Sequence, residues 1–338
     1  MISTAPMLQM LAEGNFDMLA KRFAQAGFAV FTPGAGMIVI RAPGTDVERS
    51  RLLVSIGIHG DETAPIEMMA EILTEFVETP HTLAVDLMIV VGNLAAITQA
   101  SRFVEVDMNR LFTSEHRAVA SDAETHRTTQ IMEATERFFV AGAGRAMQWH
   151  LDLHSTIRPS LYARFAIVPV AFDDGSGDEL SPALGTWLAN AGIEALVFNS
   201  LPSSTYSAFS ARLSGVEGVT LELGTVSVMG KNSLDHLEKT RDALSGLMKG
   251  NPSSTDVSLP ICFSVSREIR KVTASFDLRC DPATANFTEI AAHTVIATDG
   301  SQTYATADRA AHLLFPNPNV AVGQRAGLLL YRTSKKMV

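Results

Sequence analysis

The sequence predicts an α/β fold, a sheet flanked by helices, followed by a small C-terminal β-rich domain. Three observations carry this prediction. Apolar runs of strand length alternate with amphipathic stretches of helix length through about residue 250. Gly250-Asn-Pro-Ser-Ser-Thr-Asp256 has the composition of a linker. Beyond it the pattern changes to short β-like runs, Ile261–Val265, His293–Ala297 and Leu328–Tyr331, with no long helix. A length of 338 residues also exceeds one ordinary core, so a large domain over 1–250 and a small one over 257–338 are expected.

The elements follow in order. Phe16 to Gln25 carries apolar residues around Lys21 and Arg22 and stops at Gly27, the pattern of a short helix. Phe28–Phe31 and Met37–Ile40 read as strands around the turn Pro33-Gly34-Ala35-Gly36. Leu52–Ile58 is a continuous apolar run and reads as a buried strand. The next helix runs from Ala64 to Glu78, with Pro65 in its first turn, Pro80 beyond its end, and Met68, Met69, Ile72, Leu73 and Phe76 in one stripe. Val85–Val91 is a second buried strand. Ser121 can cap a helix to Val140, followed by Gly142 and Gly144. Met147–Leu153 is a third strand, ending in His154. Further strands are expected at Phe165–Val170, Ile193–Phe198 and Val219–Leu223, and helices after Ser181-Pro182 and over Asn232–Met248.

Composition narrows the function classes. With 46% hydrophobic and 19% charged residues the chain is of globular type. A net charge of -9 argues against nucleic acid as a partner, and an anionic ligand would need a local Arg cluster. With only two cysteines, Cys262 and Cys280, a disulfide framework is not the source of stability, and reduced thiols in a cytoplasm are expected. Neither a signal peptide nor a membrane span is expected. The oligomeric state stays open, a homo-oligomer included.

The chemistry gathers at strand ends. The run Leu52–Ile58 leads straight into His59-Gly-Asp-Glu62 and a helix, which places an imidazole and a carboxylate three positions apart on a curving chain. Zinc takes such ligands together, and two His with one Glu is a known catalytic set. His154, at a separate strand end, is the candidate third ligand; His150 lies inside its strand. Asp107 can accept the second ring nitrogen of His59, and Arg110, Asn109 and Arg102 offer donors to a carboxylate or an oxyanion. Glu222 sits among Val219-Thr-Leu-Glu-Leu223, where burial would raise its pKa toward that of a general base. Spacing alone leaves other readings open. His59 can be a solvated loop residue beside a helix N-terminal acid, His154 a hydrogen-bonded core histidine, 101–114 a polar loop, and Glu222 an edge-strand residue facing water.

Five motifs occur in a telling order. They are Gly57-Ile-His-Gly-Asp-Glu-Thr-Ala-Pro65, Asp107-Met-Asn-Arg110, His150-Leu-Asp-Leu-His154, Thr220-Leu-Glu-Leu-Gly224, and Leu314-Phe-Pro-Asn-Pro318 with Gly323-Gln-Arg-Ala-Gly327. Together they make the chain resemble the succinylglutamate desuccinylase/aspartoacylase branch of the zinc carboxypeptidase superfamily. The resemblance implies a mixed sheet of the zinc-carboxypeptidase kind and one zinc per subunit on His59, Glu62 and His154. It implies Glu222 as catalytic base, Arg102, Asn109 and Arg110 on substrate carboxylate and carbonyl groups, and Asp107 behind the ligands. Ser155 stands where relatives often have Thr, and Met108 where another apolar residue is usual. The implied substrate is a small anionic N-acyl amino acid. The first choice is N-succinyl-L-glutamate, cleaved to succinate and L-glutamate in the succinyltransferase route of arginine catabolism. A deacylase of another N-acyl amino acid, a peptide carboxypeptidase, and a zinc- or carboxylate-binding module without turnover are the rivals.

Overall fold

Parallel strands buried on both faces form the centre of the molecule. β3 (Arg51–Ile56) lies between β4 (Asp86–Val91) and β5 (Gln148–Thr156), parallel to both, and β5 pairs in parallel with β8 (Glu217–Thr225). Every residue of β3, β4 and β5 is buried; β3 and β4 accordingly read as near-continuous apolar runs, whereas β5 alternates apolar residues with His150, Asp152 and His154. The computed structural model describes residues 4–41, 43, 49–113, 115, 122–140, 147–170, 180–251, 253–281 and 283–334.

Antiparallel strands extend the sheet on both sides and make it mixed. β1 (Ala29–Gly34) and β2 (Met37–Arg41) form a hairpin that adds to β4. On the other side β6 (Arg164–Pro169) runs antiparallel to β8 and parallel to β7 (Ala195–Asn199). Beyond the linker, β9 (Ile261–Arg270) pairs with β7, so the same sheet runs on into the C-terminal β-rich part. There β11 (Thr288–Ile290), β14 (Ala311–Leu314) and β15 (Arg325–Arg332) complete it. The order among the described residues is β1-β2-β4-β3-β5-β8-β6-β7-β9-β15-β14-β11. A second sheet holds β10 (Asp277–Leu278), β12 (Val295–Asp299) and β13 (Gln302–Ala305).

Helices cover both faces. Leu52, Val54 and Ile56 of β3 pack toward the helices Ala64–Glu78 and Pro182–Asn190, whereas Leu53 packs toward the helix Ala123–Val140 and the short helix Tyr206–Ser210. This alternation is the period of a strand. Pro182 opens its helix as expected, and the Ser181 hydroxyl caps it by accepting the N–H of Leu184.

The structure corrects some boundaries. β5 does not stop before His154 but continues to Thr156, because its ladder with β8 runs through the pairs His154–Glu222 and Thr156–Thr225. The helix expected from Asn232 begins at Glu238, after a tight turn over Asp235–Leu237. The predicted cap Ser121 and the stops Gly142 and Gly144 lie outside the described residues. A helix over Ala5–Glu13 precedes the first expected one.

Candidate metal centre and active site

The site stands at the carboxyl ends of β3, β5 and β8. The chain leaves β3 toward β4 on one side and later places β5 on the other, and ligands of α/β sheets gather outside strand ends at such a switch point. His59 lies just beyond β3, Glu62 two residues before the helix Ala64–Glu78, and His154 near the end of β5. Among the described residues these three bring ligand atoms within 4.8 Å of one another. Nδ1 of His59 is 2.8 Å from Glu62 Oε1, and Nδ1 of His154 is 2.8 Å from Glu62 Oε2. All three are buried.

Glycine makes the turn at His59 fit. A Cβ on Gly60 would meet the backbone carbon of Ala96 at 2.1 Å. The short helix Leu94–Thr98 can therefore press on the loop only if residue 60 has no side chain. The Gly60 N–H donates to the Arg102 carbonyl, which ties the ligand loop to the polar segment 101–110.

Each imidazole is oriented from behind. Nε2 of His59 is 3.0 Å from Asp107 Oδ1, as the spacing suggested. Nε2 of His154 is 3.1 Å from Asp152 Oδ2, a partner the sequence reading left without a role. Its signal was the alternation His150, Asp152, His154 in an otherwise apolar strand, which puts all three on one face. Asp152 is held in turn: the Ser55 hydroxyl donates to its Oδ1 at 2.5 Å and lies 2.7 Å from His150 Nε2. His150 Nδ1 then meets the Ser210 hydroxyl at 2.6 Å. Burial pushes the His150 pKa down to about 4, so this ring stays neutral within the chain of hydrogen bonds.

The segment carrying Asp107 is fixed by Glu124, which sequence reasoning missed. Its buried carboxylate accepts the N–H groups of Val104, Glu105 and Val106 at 2.6–2.8 Å and the amide of Asn93. Arg102 points at the cluster, with Nη1 2.8 Å from Glu62 Oε1. Asn109 Oδ1 accepts the N–H of Tyr206, which leaves its amide N–H for a ligand. Arg110 is part-exposed, with Nη2 3.8 Å from Asp107 Oδ2. Arg158 lies past β5, where its charge reaches Cys280 of the tail.

Glu222 is the ladder partner of His154 on β8 and shares its face. β8 is an interior strand between β5 and β6, so the alternative of an edge residue facing water does not hold. Glu222 is 8% exposed, and its Oε2 has no hydrogen-bond partner. Burial pushes its pKa up to about 7 against the opposing pull of His154.

The charges around the cluster are unbalanced. Burial would raise Glu62, but His59 and His154 hold it well below the usual carboxylate range. Burial would lower His154, but Asp152 and Glu62 raise it well above an ordinary histidine. Three carboxylates, Glu62, Asp107 and Asp152, thus surround two imidazoles with Arg102 and Arg110 beside them. Two imidazole nitrogens, one carboxylate and carboxylates behind both rings form a donor set that fits a divalent ion.

Fold and site define the class: a mixed-sheet α/β protein whose two-histidine, one-carboxylate cluster can hold a metal beside a buried, unpaired carboxyl group. The chain belongs to the succinylglutamate desuccinylase/aspartoacylase family. The model of that family's catalytic domain matches residues 48–248, and the model of its AstE/AspA barrel-sandwich hybrid domain matches residues 259–333. The chain is 35% identical over 308 residues to the succinylglutamate desuccinylase of Burkholderia lata, covering 90% of this chain and 86% of that one. The solved succinylglutamate desuccinylase of Vibrio parahaemolyticus matches with a TM-score of 0.81 at 27% identity, over 94% of this chain and 96% of that one. That of Chromobacterium violaceum matches at 0.78 and 28%, over 94% and 98%.

Proposed function

We propose that this chain hydrolyses N-succinyl-L-glutamate to succinate and L-glutamate, using one zinc ion per subunit held by His59, Glu62 and His154. The observation that carries the reading is the buried, unpaired Oε2 of Glu222 beside that cluster. The name shared by the relatives, succinylglutamate desuccinylase, supplies the substrate. A zinc ion held there supplies a Lewis acid and a source of nucleophilic water at neutral pH.

The protein's own groups do the rest. Glu222 accepts the proton of the attacking water at Oε2 and later delivers it to the leaving amine nitrogen of glutamate. A pKa raised to about 7 suits both directions of transfer. Arg110 donates to the oxygen on which negative charge develops. Arg102 has donors beyond the one that Glu62 takes, and together with the Asn109 amide N–H it receives substrate carboxylate or carbonyl oxygen. Asp107 and Asp152 keep both imidazoles oriented.

Residues 1–250 carry the catalysis in this reading, with residues 257–338 as an accessory β-rich domain. The reaction belongs to arginine catabolism in the cytoplasm, in keeping with Cys262 and Cys280 being unpaired. No helix among the described residues is long and apolar enough to cross a membrane. An amine-release assay with a panel of N-acyl amino acids, with and without chelator, tests the reading. N-succinylglutamate should be the best substrate, and chelator should abolish release. Preference for N-acetylaspartate would make the chain an aspartoacylase-like deacylase. Zinc binding without release from any member would leave a binding module.

A further inference from the structure

Arg325 opens β15 in the tail segment Gly323–Gly327 and turns toward the catalytic part of the sheet. Its guanidinium lies 5.9 Å from the Phe315 ring centroid, and Phe315 lies 5.9 Å from Phe165. Phe165 of β6 is the antiparallel ladder partner of Glu222, and directly opposed residues share a face. An aromatic row thus leads from Glu222 to Arg325.

The platform under Arg325 is held at a cost. Phe315 has φ 54°, a left-handed conformation that strains an aromatic residue. Asn286, fully buried, maintains it by accepting the Phe315 N–H at Oδ1. Its backbone also bonds Pro159 and Leu161, and its amide donates to Ser160. The strained aromatic is therefore keyed to the loop that leaves β5 just after His154.

Arg325 is half-buried, yet among the described residues no hydrogen bond or ion pair reaches its guanidinium. Glu268, whose charge is felt there, is ion-paired with Arg270 instead. Burial, and then the neighbouring charge of Arg110, lower the Arg325 pKa to about 10. A half-buried guanidinium that has no carboxylate partner, and at which the charge of Arg110 is also felt, is stabilised by an anion.

We propose that Arg325, reaching in from the tail, completes with Arg110 a subsite for a substrate carboxylate remote from the scissile amide, and so sets the preference for acidic acyl amino acids. This rests on the deacylase reading above. The carboxylate is either the free end of the succinyl group or the side chain of the glutamate. A contact made equally in the ground state and the transition state is lost as a rise in KM.

The test uses N-succinylglutamate and two analogues that each lack one carboxylate, N-butyrylglutamate and N-succinylnorvaline. Arg325→Ala and Arg325→Gln should lower kcat/KM on N-succinylglutamate by about tenfold to a hundredfold, the range of a charged hydrogen bond, chiefly through KM. On one analogue the loss should stay within about threefold, as expected when the charged partner is already gone, and that analogue identifies the carboxylate. Arg325→Lys, which keeps charge but loses the fork, should fall between, and circular dichroism checks that each variant is folded. Equal losses on all three substrates, or none on N-succinylglutamate, would overturn the subsite. If the native protein cleaves none of the three, the deacylase reading fails by itself. Calorimetric titration with succinate then judges Arg325 alone: weaker binding in Arg325→Ala supports the subsite, and equal or absent binding overturns it.

Discussion

Glu222 titrates near pH 7 because an interior strand removes its carboxyl group from water. Its folded pKa lies above the ordinary value of 4.5, so between the two the folded protein holds a proton that the unfolded chain has released. Its contribution to stability therefore falls as pH rises through that window. In chelated protein, Glu222→Gln should match the native chain near pH 4, below the unfolded value, and exceed it by roughly 3 kcal/mol at pH 8 in urea unfolding. Parallel curves at all pH would contradict the buried carboxyl. The same variant should keep its zinc and lose about 10²–10⁴-fold in kcat. Gly60 gives a second residue-scale test. Gly60→Ala forces a Cβ to 2.1 Å from the Ala96 backbone, so thermal or urea unfolding should show a loss of more than about 2 kcal/mol. As candidates, His59, His154 and Glu222 were legible because each is a polar residue where an apolar strand ends or should continue, and Glu62 because it follows His59 by three positions before a helix. Asp152 was legible in principle by the same alternation. Glu124 was not, since an acid in the first turn of a helix is common for reasons of dipole alone.

Short elements join the outer partners of the two imidazoles. From His154 the path runs through Asp152, Ser55, His150 and Ser210 to the helix Tyr206–Ser210, then from the Tyr206 N–H to Asn109 and back to the Asp107 segment behind His59. Gly218 lets that helix sit close, because a Cβ there would lie 2.4 Å from the Ser207 carbonyl oxygen. Glu124 braces the other end. Glu124→Ala should free the N–H groups of 104–106 and speed amide hydrogen exchange over 103–110, leaving β3 and β5 protected. Unchanged exchange in that loop would remove Glu124 from its role. The central strands could be read from their apolar runs, but the tail could not be divided into its strands. β10, β11, β13 and β14 have only two to four residues each, too few for a period to show.

At the scale of the whole molecule, one sheet carries both the strand ends of the candidate metal centre and the β-rich tail. β9 joins β7, and Asn286 pins the tail to the loop after β5. The alternation of strands and helices made the α/β class legible, whereas the continuity of the sheet past the linker depends on pairings far apart in sequence, which composition does not encode. The charge balance also belongs to this scale: a chain of net charge -9 places Arg102 and Arg110 beside Glu62 and Asp107 at one set of strand ends. X-ray absorption at the zinc edge, with metal content measured on the same samples, is the most direct test of the proposed centre. The expected result is one zinc per chain with two imidazole nitrogens at about 2.0–2.1 Å and a carboxylate oxygen, lost when His59 and His154 are both replaced by Ala. Zinc without imidazole ligands, or full zinc content in that double variant, would contradict the convergence of His59, Glu62 and His154 on one ion.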